Sequence, residues 1–347
     1  MKTVCVLFGG MSGEYEISCL SASYVVENLD QDKYTVIKVG ITREGAWRLF
    51  SGSTQQMRDD SWTDGDCLPC ILSPDHEDHG LLVRERDGLR KIAVDVIFPV
   101  LHGTYGEDGS AQGLFALSGI PFVGSGVAAS ALGMDKAFSN MIFDNLKIPQ
   151  AAWLAFDDVT KEVDPAKRVE EEFSYPCFVK PANTGSSVGV FKAHNRQELQ
   201  AALSEAAKVD KKVLVEEFVD GRELECAVLG NADPEVSSVG EVLPAGEFYD
   251  YTSKYHDEAS RTVIPADIPQ KASDTIREYA KMAYCALGCR GLSRADFFLG
   301  RDGTVYINEL NTLPGFTTIS MYGKLWEYEG VSYSELLDRL IALAEEE

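Results

Sequence analysis

Thirty residues from Gly291 to Ser320, GLSRADFFLGRDGTVYINELNTLPGFTTIS, constrain the fold of this chain more than any other stretch. Apolar and polar residues alternate on both sides of Gly300-Arg301-Asp302-Gly303, and an Asp-Gly step between two such runs is a strong hairpin signal. A hairpin here brings Asp296 and Glu309 face to face. Asn311, two residues beyond Glu309, and Arg294, two before Asp296, fall on the same side of their strands by the two-residue period. Three hard oxygen donors in that arrangement suit Mg²⁺ better than Zn²⁺, and such sites usually take the metal together with phosphates. The arginine adds a fixed cation where phosphate or acyl charge can be stabilised. A solvated strand face carrying charges of both signs would read the same way, so the rest of the chain has to decide.

Composition narrows the field. With 347 residues and 45% hydrophobic content, the chain can bury a sizeable core and divide into two or three domains. A net charge of -23 repels nucleic acid and anionic membrane, so neither is expected as a partner, and any anionic ligand has to be held by a few local cations. No run is long and apolar enough for a membrane helix, and MKTVCVLFGG reads as a buried strand and glycine turn rather than a signal peptide. The expected location is the cytoplasm. The eight cysteines are scattered, with Cys5 and Cys177 inside apolar strands, which fits reduced, buried thiols. Cys67, Cys70, His76 and His79 offer four zinc ligands, but Asp75, Glu77 and Asp78 crowd them and the spacing is shorter than in finger modules. A variable surface loop is expected there.

From the N-terminus, Lys2 to Phe8 is an apolar, β-branched run ending in Gly9-Gly10, and Glu16 to Leu29 has helical spacing. Tyr34 to Gly40 and Val94 to Val100 read as further buried strands, the second leading into LHGTYGEDG, so a parallel sheet is expected. Loops at the carboxyl ends of such strands bind ligands, which makes Glu14 and His102 candidates. Gly124-Ser-Gly126-Val-Ala-Ala129 resembles a dinucleotide turn, but it comes late and lacks a suitable acid about twenty residues on. One helix is expected from about Ala128 to Leu146, carrying Met134-Asp135-Lys136 near its start.

Tyr175 to Val190 reads as strand, glycine- and serine-rich loop and strand, with Lys180 ending the first strand. Gly185-Ser-Ser-Val-Gly189 fits a serine-hydrolase elbow, but the strand pattern from Val188 to Ala193 stands where that motif needs a helix. A loop of small residues beside a lysine can instead fold over phosphates, although the chain contains no P-loop sequence. Asn195 and Glu198 form a capping box for a helix to Lys208. The apolar strand Val213 to Val219 carries Glu216 and Glu217, with Glu223 just after it; such acids need partners, either adenine and ribose groups or other side chains. After a strand from Leu224 to Leu229, GEFYDYTSKYHDEASR looks like a lid loop. A helix from Ser273 to Leu287 precedes the hairpin, and Ser332 and Glu335 cap a final amphipathic helix.

Eight motifs in order, GGMSGEYEIS, LHGTYGEDG, MDK, VKPANTGSSVG, VEEFVDGRE, FYDYTSKY, GLSRADFF and NELNTLPGFT, resemble the D-alanine:D-alanine ligases of the ATP-grasp superfamily. The resemblance runs from about Val4 to the end of the chain. It implies an α/β, ATP-grasp fold: an N-terminal Rossmann-like substrate-binding domain over residues 1–125, a central α+β subdomain with the phosphate loop over 126–215, and a C-terminal α+β catalytic domain with lid and metal site over 216–347. It also implies a homodimer that uses D-alanine and ATP and requires two Mg²⁺ (or Mn²⁺).

Carried over residue by residue, the resemblance places Lys136 and Lys180 on the ATP phosphates and Ser186 and Ser187 in the loop that closes over them. Glu216 and the backbone near Val219 fall to adenine and Glu223 to ribose, with Glu217 also in the ATP site, and Asp296, Glu309 and Asn311 fall to the metals. Glu14 would take the ammonium of the first D-alanine, with His102 close by, and Glu14, Ser186 and Tyr255 would form one hydrogen-bonded set. Lys254, Ser320 and Met321 would hold the second carboxylate, and Arg294 with the Gly315 N–H the tetrahedral oxyanion. Tyr255 and Ser186 are the candidates for general base. Tyr15 stands where many relatives have histidine, a feature shared with some D-alanine:D-serine ligases; D-serine therefore ranks second to D-alanine as partner substrate, and D-lactate third. An ATP-binding but inactive relative is the alternative from another class.

Overall fold

The computed structural model describes residues 1–243 and 261–346. Three sheets organise them. The first holds β1 (Lys2–Gly9), β2 (Tyr34–Ile41), β3 (Trp47–Phe50), β4 (Cys67–Leu72), β5 (Gly80–Glu85), β6 (Gly88–Ala93) and β7 (Val96–Pro99), in the order β6-β5-β4-β3-β2-β1-β7. Only β2, β1 and β7 run parallel, with Val4 opposite both Val36 and Val96; from β3 outward the pairing is antiparallel. The expected parallel sheet is thus its inner part alone. The stretch expected as a loop around Cys67 and Cys70 is strand β4, and Cys70 is buried under the sheet. The apolar run Cys67–Leu72 is short and broken by Pro69, which hid its pairing with β3 and β5.

The second sheet is antiparallel, β10 (Phe191–Ala193), β9 (Cys177–Pro181), β11 (Val213–Glu217) and β8 (Trp153–Phe156) in that order. The third, also antiparallel, runs β14 (Arg261–Val263), β13 (Glu235–Leu243), β12 (Gly221–Gly230), β15 (Gly291–Gly300) and β16 (Val305–Asn311). The helix expected from Ala128 to Leu146 is two, Val127–Met134 and Lys136–Leu146. Asp135 breaks it: its backbone is extended, and its carboxylate accepts from the N–H groups of Ala137 and Phe138, capping the second helix.

Packing divides differently from the sheets. One face of the first sheet (Val4, Val6, Phe8) shares a single core with Tyr322, Trp326, Leu337 and Ile341 of the last two helices, Met321–Tyr328 and Tyr333–Ala344. The third sheet packs against helix Gln270–Leu287 through Phe297, Ile276 and Tyr284. The second sheet has a core of its own, Val179, Val215, Leu199 and Leu203 among others, closed by helix Arg196–Val209.

Candidate active site

The hairpin forms as its pattern demands. Asp296 lies opposite Glu309 and Arg294 opposite Asn311, and the turn closes with Gly303 at φ +84° and Asp302 accepting from the Thr304 N–H at 3.0 Å. Between Asp296 and Phe297 the partner jumps from Glu309 to Ile307. The bulge leaves Asn308 over, and both Asn308 and its neighbour Glu309 then line the same cavity.

Arg294 donates to both oxygens of Asp296, at 2.7 and 2.6 Å, and its Nε lies 3.1 Å from Glu225 on the adjacent strand β12. All three side chains are at most 15% exposed, so solvent screens them little. Burial opposes the arginine's charge, but Asp296 and Glu225 outweigh it and carry its pKa well above the ordinary value. Asn311 accepts from the Leu313 N–H at 2.9 Å and so starts the loop that follows. In that loop Ser320 Oγ lies 2.8 Å from Thr317 Oγ1, and a Cβ on Gly315 would come within 2.9 Å of the same hydroxyl.

On the second sheet Lys180 donates to Glu216 at 2.5 Å and to Asn308 at 3.3 Å. Burial opposes its charge and Glu216 raises its pKa above the usual lysine value. Lys136 donates to the Thr184 carbonyl at 2.6 Å and its own N–H to Ala182 at 3.1 Å, tying the capped helix to the glycine loop. Ser186 and Ser187 both have positive φ, +48° and +58°, a region that costs non-glycine residues energy and that concentrates at functional loops. Where the sequence suggested a hydrolase elbow, the chain runs on into strand β10 without a helix.

Ser186 donates to Glu14, joining the glycine loop to the loop that follows β1. Glu14 precedes helix Tyr15–Asn28, and Gly103 and Gly185 approach it so closely that a Cβ on either would stand 2.5 or 2.6 Å from its carboxylate. His102 is buried, with Nε2 3.4 Å from Ser21 Oγ, and burial pushes it down to about 4, so it is neutral at physiological pH.

Two adjoining cavities collect these groups. The first is lined by Glu14, His102, Arg294, Asn311, Gly315, Ser320 and Met321. The second, about 430 Å³, is lined by Lys180, Ser187, Glu216, Glu217, Val219, Glu223 and Asp296. That lies within the roughly 300–1,000 Å³ of common small-molecule sites. Lys136, Ser186 and Glu309 line both, as do Thr184, Gly185, Glu225 and Val242. Every expected site residue within the described part of the chain thus lies on one cavity or the other; Lys254 and Tyr255, with most of the expected lid, lie outside the described residues.

Sequence reasoning missed three residues. Glu225 is the second acid on Arg294, Asn308 reaches Lys180 only through the bulge, and Glu107 lines the first cavity. Glu107 is buried and accepts from the Gly103 N–H at 2.5 Å; burial, then the charge of Glu14, holds its pKa well above the ordinary carboxylate range. Its signal was present as the acid of LHGTYGEDG, in the same loop as His102. Asp296, Glu309 and Asn311 offer hard oxygen donors from adjacent strand positions, a set that fits Mg²⁺.

A Rossmann-like first sheet followed by two antiparallel α+β units, with two adjoining cavities between them, is the ATP-grasp architecture, a class that includes ATP-dependent ligases. Residues 3–125 match the family described as D-ala D-ala ligase N-terminus, and residues 142–342 that described as D-ala D-ala ligase C-terminus. The D-alanine–D-alanine ligase of Acetivibrio thermocellus is 50% identical over 99% of this chain and 96% of its own. Among solved structures, the VanG D-Ala:D-Ser ligase from Enterococcus faecalis superposes with a TM-score of 0.90 at 40% identity, covering 99% of both chains. The D-alanine-D-alanine ligase from Coxiella burnetii gives 0.87 at 33% identity, covering 99% of this chain and 93% of its own. The chain belongs to the D-alanine–D-alanine ligase family.

Proposed function

We propose that this enzyme joins two D-alanines to D-alanyl-D-alanine at the expense of ATP, for peptidoglycan precursor synthesis. The observation that carries the reading is the shared lining: Lys136, Ser186 and Glu309 border both the smaller cavity, with Glu14, His102 and Arg294, and the larger one, with Lys180, Glu216 and Asp296. A carboxylate held in the first cavity would attack the γ-phosphoryl group presented from the second, giving an acyl phosphate and ADP. The amine of the second D-alanine then attacks that carbonyl and releases phosphate.

Glu14 and His102 serve the first D-alanine, the glutamate by pairing with its ammonium; Lys254, Ser320 and the Met321 N–H hold the carboxylate of the second. Lys136 and Lys180 hold phosphates, with Ser186 and Ser187 in the loop over them. Glu216 and the backbone near Val219 meet adenine, Glu223 meets the ribose, and Glu217 belongs to the same ATP site. Arg294 and the Gly315 N–H stand where the tetrahedral oxyanion develops. Asp296, Glu309 and Asn311 would hold two Mg²⁺ or Mn²⁺ ions, which supply charge neutralisation for phosphoryl transfer. Tyr255 joins Glu14 and Ser186 at closure. The domains divide as 1–125, 126–215 and 216–347, and the enzyme works as a cytoplasmic homodimer on small molecules, with neither nucleic acid nor membrane as partner. No helix among the described residues is long and apolar enough to cross a membrane.

A second reading, D-serine in the second position, is favoured by the likeness to the VanG D-Ala:D-Ser ligase. Phosphate release from ATP with D-alanine alone, with D-serine added and with neither, together with the mass of the product, separates the two. D-alanyl-D-alanine from D-alanine alone is expected. Dominant D-alanyl-D-serine when both are present would move the assignment to the second reading, and no release would overturn both.

A further inference from the structure

Tyr15 follows Glu14 directly, yet it lines neither cavity. It is the first residue of helix Tyr15–Asn28, and its side chain turns the other way, to 2% exposure, into the core that holds Phe8, Phe50 and Trp62. Three contacts fix it there. The Trp62 indole N–H donates to the Tyr15 hydroxyl at 2.8 Å, with both residues buried. The Arg43 guanidinium lies 3.9 Å from the ring centroid, tied in turn to Asp60 at 2.9 Å and Glu16 at 3.2 Å. The ring edge abuts Gly9, where a Cβ would lie 3.1 Å from Tyr15 Cε2 and 2.2 Å from the Ile41 carbonyl oxygen. Tyr15 is thus clamped over the carboxyl ends of β1 and β2, one peptide away from the only acid that Ser186 reaches from the glycine loop among the described residues.

Glu14 is also held by the first turn of the helix that Tyr15 opens, its carbonyl accepting from the Ser18 N–H at 3.0 Å. It makes no side-chain cap to its own helix, and its N–H donates to Ser12 Oγ at 3.1 Å. We propose that Tyr15, clamped between Trp62 and Arg43, is a positioning residue that fixes where the Glu14 carboxylate stands, and so governs affinity for the first amino acid without touching it. This rests on the reading that Glu14 receives the first substrate's ammonium. It also means that the residue type at position 15 acts on the first substrate through Glu14 and does not choose between alanine and serine at the second site by contact.

The test is initial rates over a wide D-alanine range, where two saturation terms separate the two sites, with melting curves alongside. Tyr15→Phe removes one buried hydrogen bond and is expected to raise the first-site KM about 3- to 10-fold, the worth of such a bond once spent on alignment. The second-site KM, the KM for ATP and the product stay as they are. Trp62→Phe shifts the first-site KM in the same direction, and the double variant adds less than the sum, because both remove one bond. A lowered melting temperature with an unchanged first-site KM overturns the proposal, leaving Tyr15 a packing residue. If Tyr15→Phe fails to fold, the surface variant Arg43→Gln carries the test: it should raise the first-site KM, and an unchanged value is the overturning result. Glu14→Gln is the control. A shift there without one in Tyr15→Phe overturns the clamp alone; no shift in Glu14→Gln removes the ammonium reading and the clamp with it.

Discussion

Replacing Arg294 with methionine keeps much of the side chain's bulk and takes its charge from between Asp296 and Glu225. The magnitude follows from the geometry. At an effective dielectric of about 20, two unit charges about 3 Å apart attract by about 5.5 kcal/mol, and part of that is returned as the cost of desolvating the guanidinium. Asp296 and Glu225, 12% and 9% exposed, then face each other across neighbouring strands without that cation. Breaking a buried pair from one side costs about 3–5 kcal/mol, a large share of the roughly 5–15 kcal/mol that holds a folded protein. Denaturant unfolding of wild type and variant, each with and without Mg²⁺, measures it. The variant midpoint should drop by the equivalent of about 3–5 kcal/mol. Mg²⁺ should raise the variant midpoint more than that of wild type, because a divalent ion among Asp296, Glu309 and Asn311 replaces the missing charge. A loss under about 1 kcal/mol would put Arg294 among surface ion pairs and refute the burial argument. An equal Mg²⁺ response in both proteins would remove Asp296 from the donor set.

Burial holds His102 at about 4, against 6.5 for an ordinary histidine, so between those values the unfolded chain binds more protons than the folded one. Its contribution to stability is complete above pH 6.5 and is lost as pH falls toward 4, by up to about 1.4 kcal/mol per unit. His102→Gln should flatten that part of a plot of unfolding free energy against pH, and an unchanged slope would refute the assignment. Gly185→Ala would set a Cβ 2.6 Å from a Glu14 carboxylate oxygen. Misplacing a substrate-binding group by such a clash should lower kcat/KM for the first D-alanine by about 10- to 100-fold and leave nucleotide binding intact by calorimetry; wild-type kinetics would show that the loop can shift freely.

The parts of the fold legible in the sequence were those written in a short-range code. The Asp-Gly turn and the two-residue period were enough to pair Asp296 with Glu309, and Ser332 and Asn195 cap their helices as read. What escaped depends on partners distant in the chain. Strand β13 shows no strong alternation, and it forms because β12 and β14 flank it. The outer strands β3 to β6 are short, and the exposure of β6 gave no apolar signal. Asp135 looked like one residue inside a helix until its carboxylate was seen capping the next turn and bonding Lys212 at 2.7 Å. In the site, residue types and spacing pointed to the donors, but no spacing rule announces the bulge that turns Asn308 toward Lys180. The order of motifs, not any single one, joined the hairpin to the glycine loop and to Glu14.

The second sheet keeps its own core while the other two are welded to the C-terminal helices, and this has a mechanical meaning. The molecule is an anvil with one jaw. The jaw is tied to the anvil by polar threads: Lys212 to Asp135, Lys180 to Asn308, the Ile307 N–H to the Pro149 carbonyl at 2.8 Å, and Ser186 to Glu14. Water can replace each thread as the jaw parts, at a net cost of about 0.5–3 kcal/mol, whereas parting a shared apolar core exposes its whole surface at once. On that comparison the jaw is held to the anvil less firmly than the anvil is held together, and the nucleotide proposed to span Glu216 on the jaw and Asp296 on the anvil would be the rivet, so that gripping the fuel and shutting the press would be a single event.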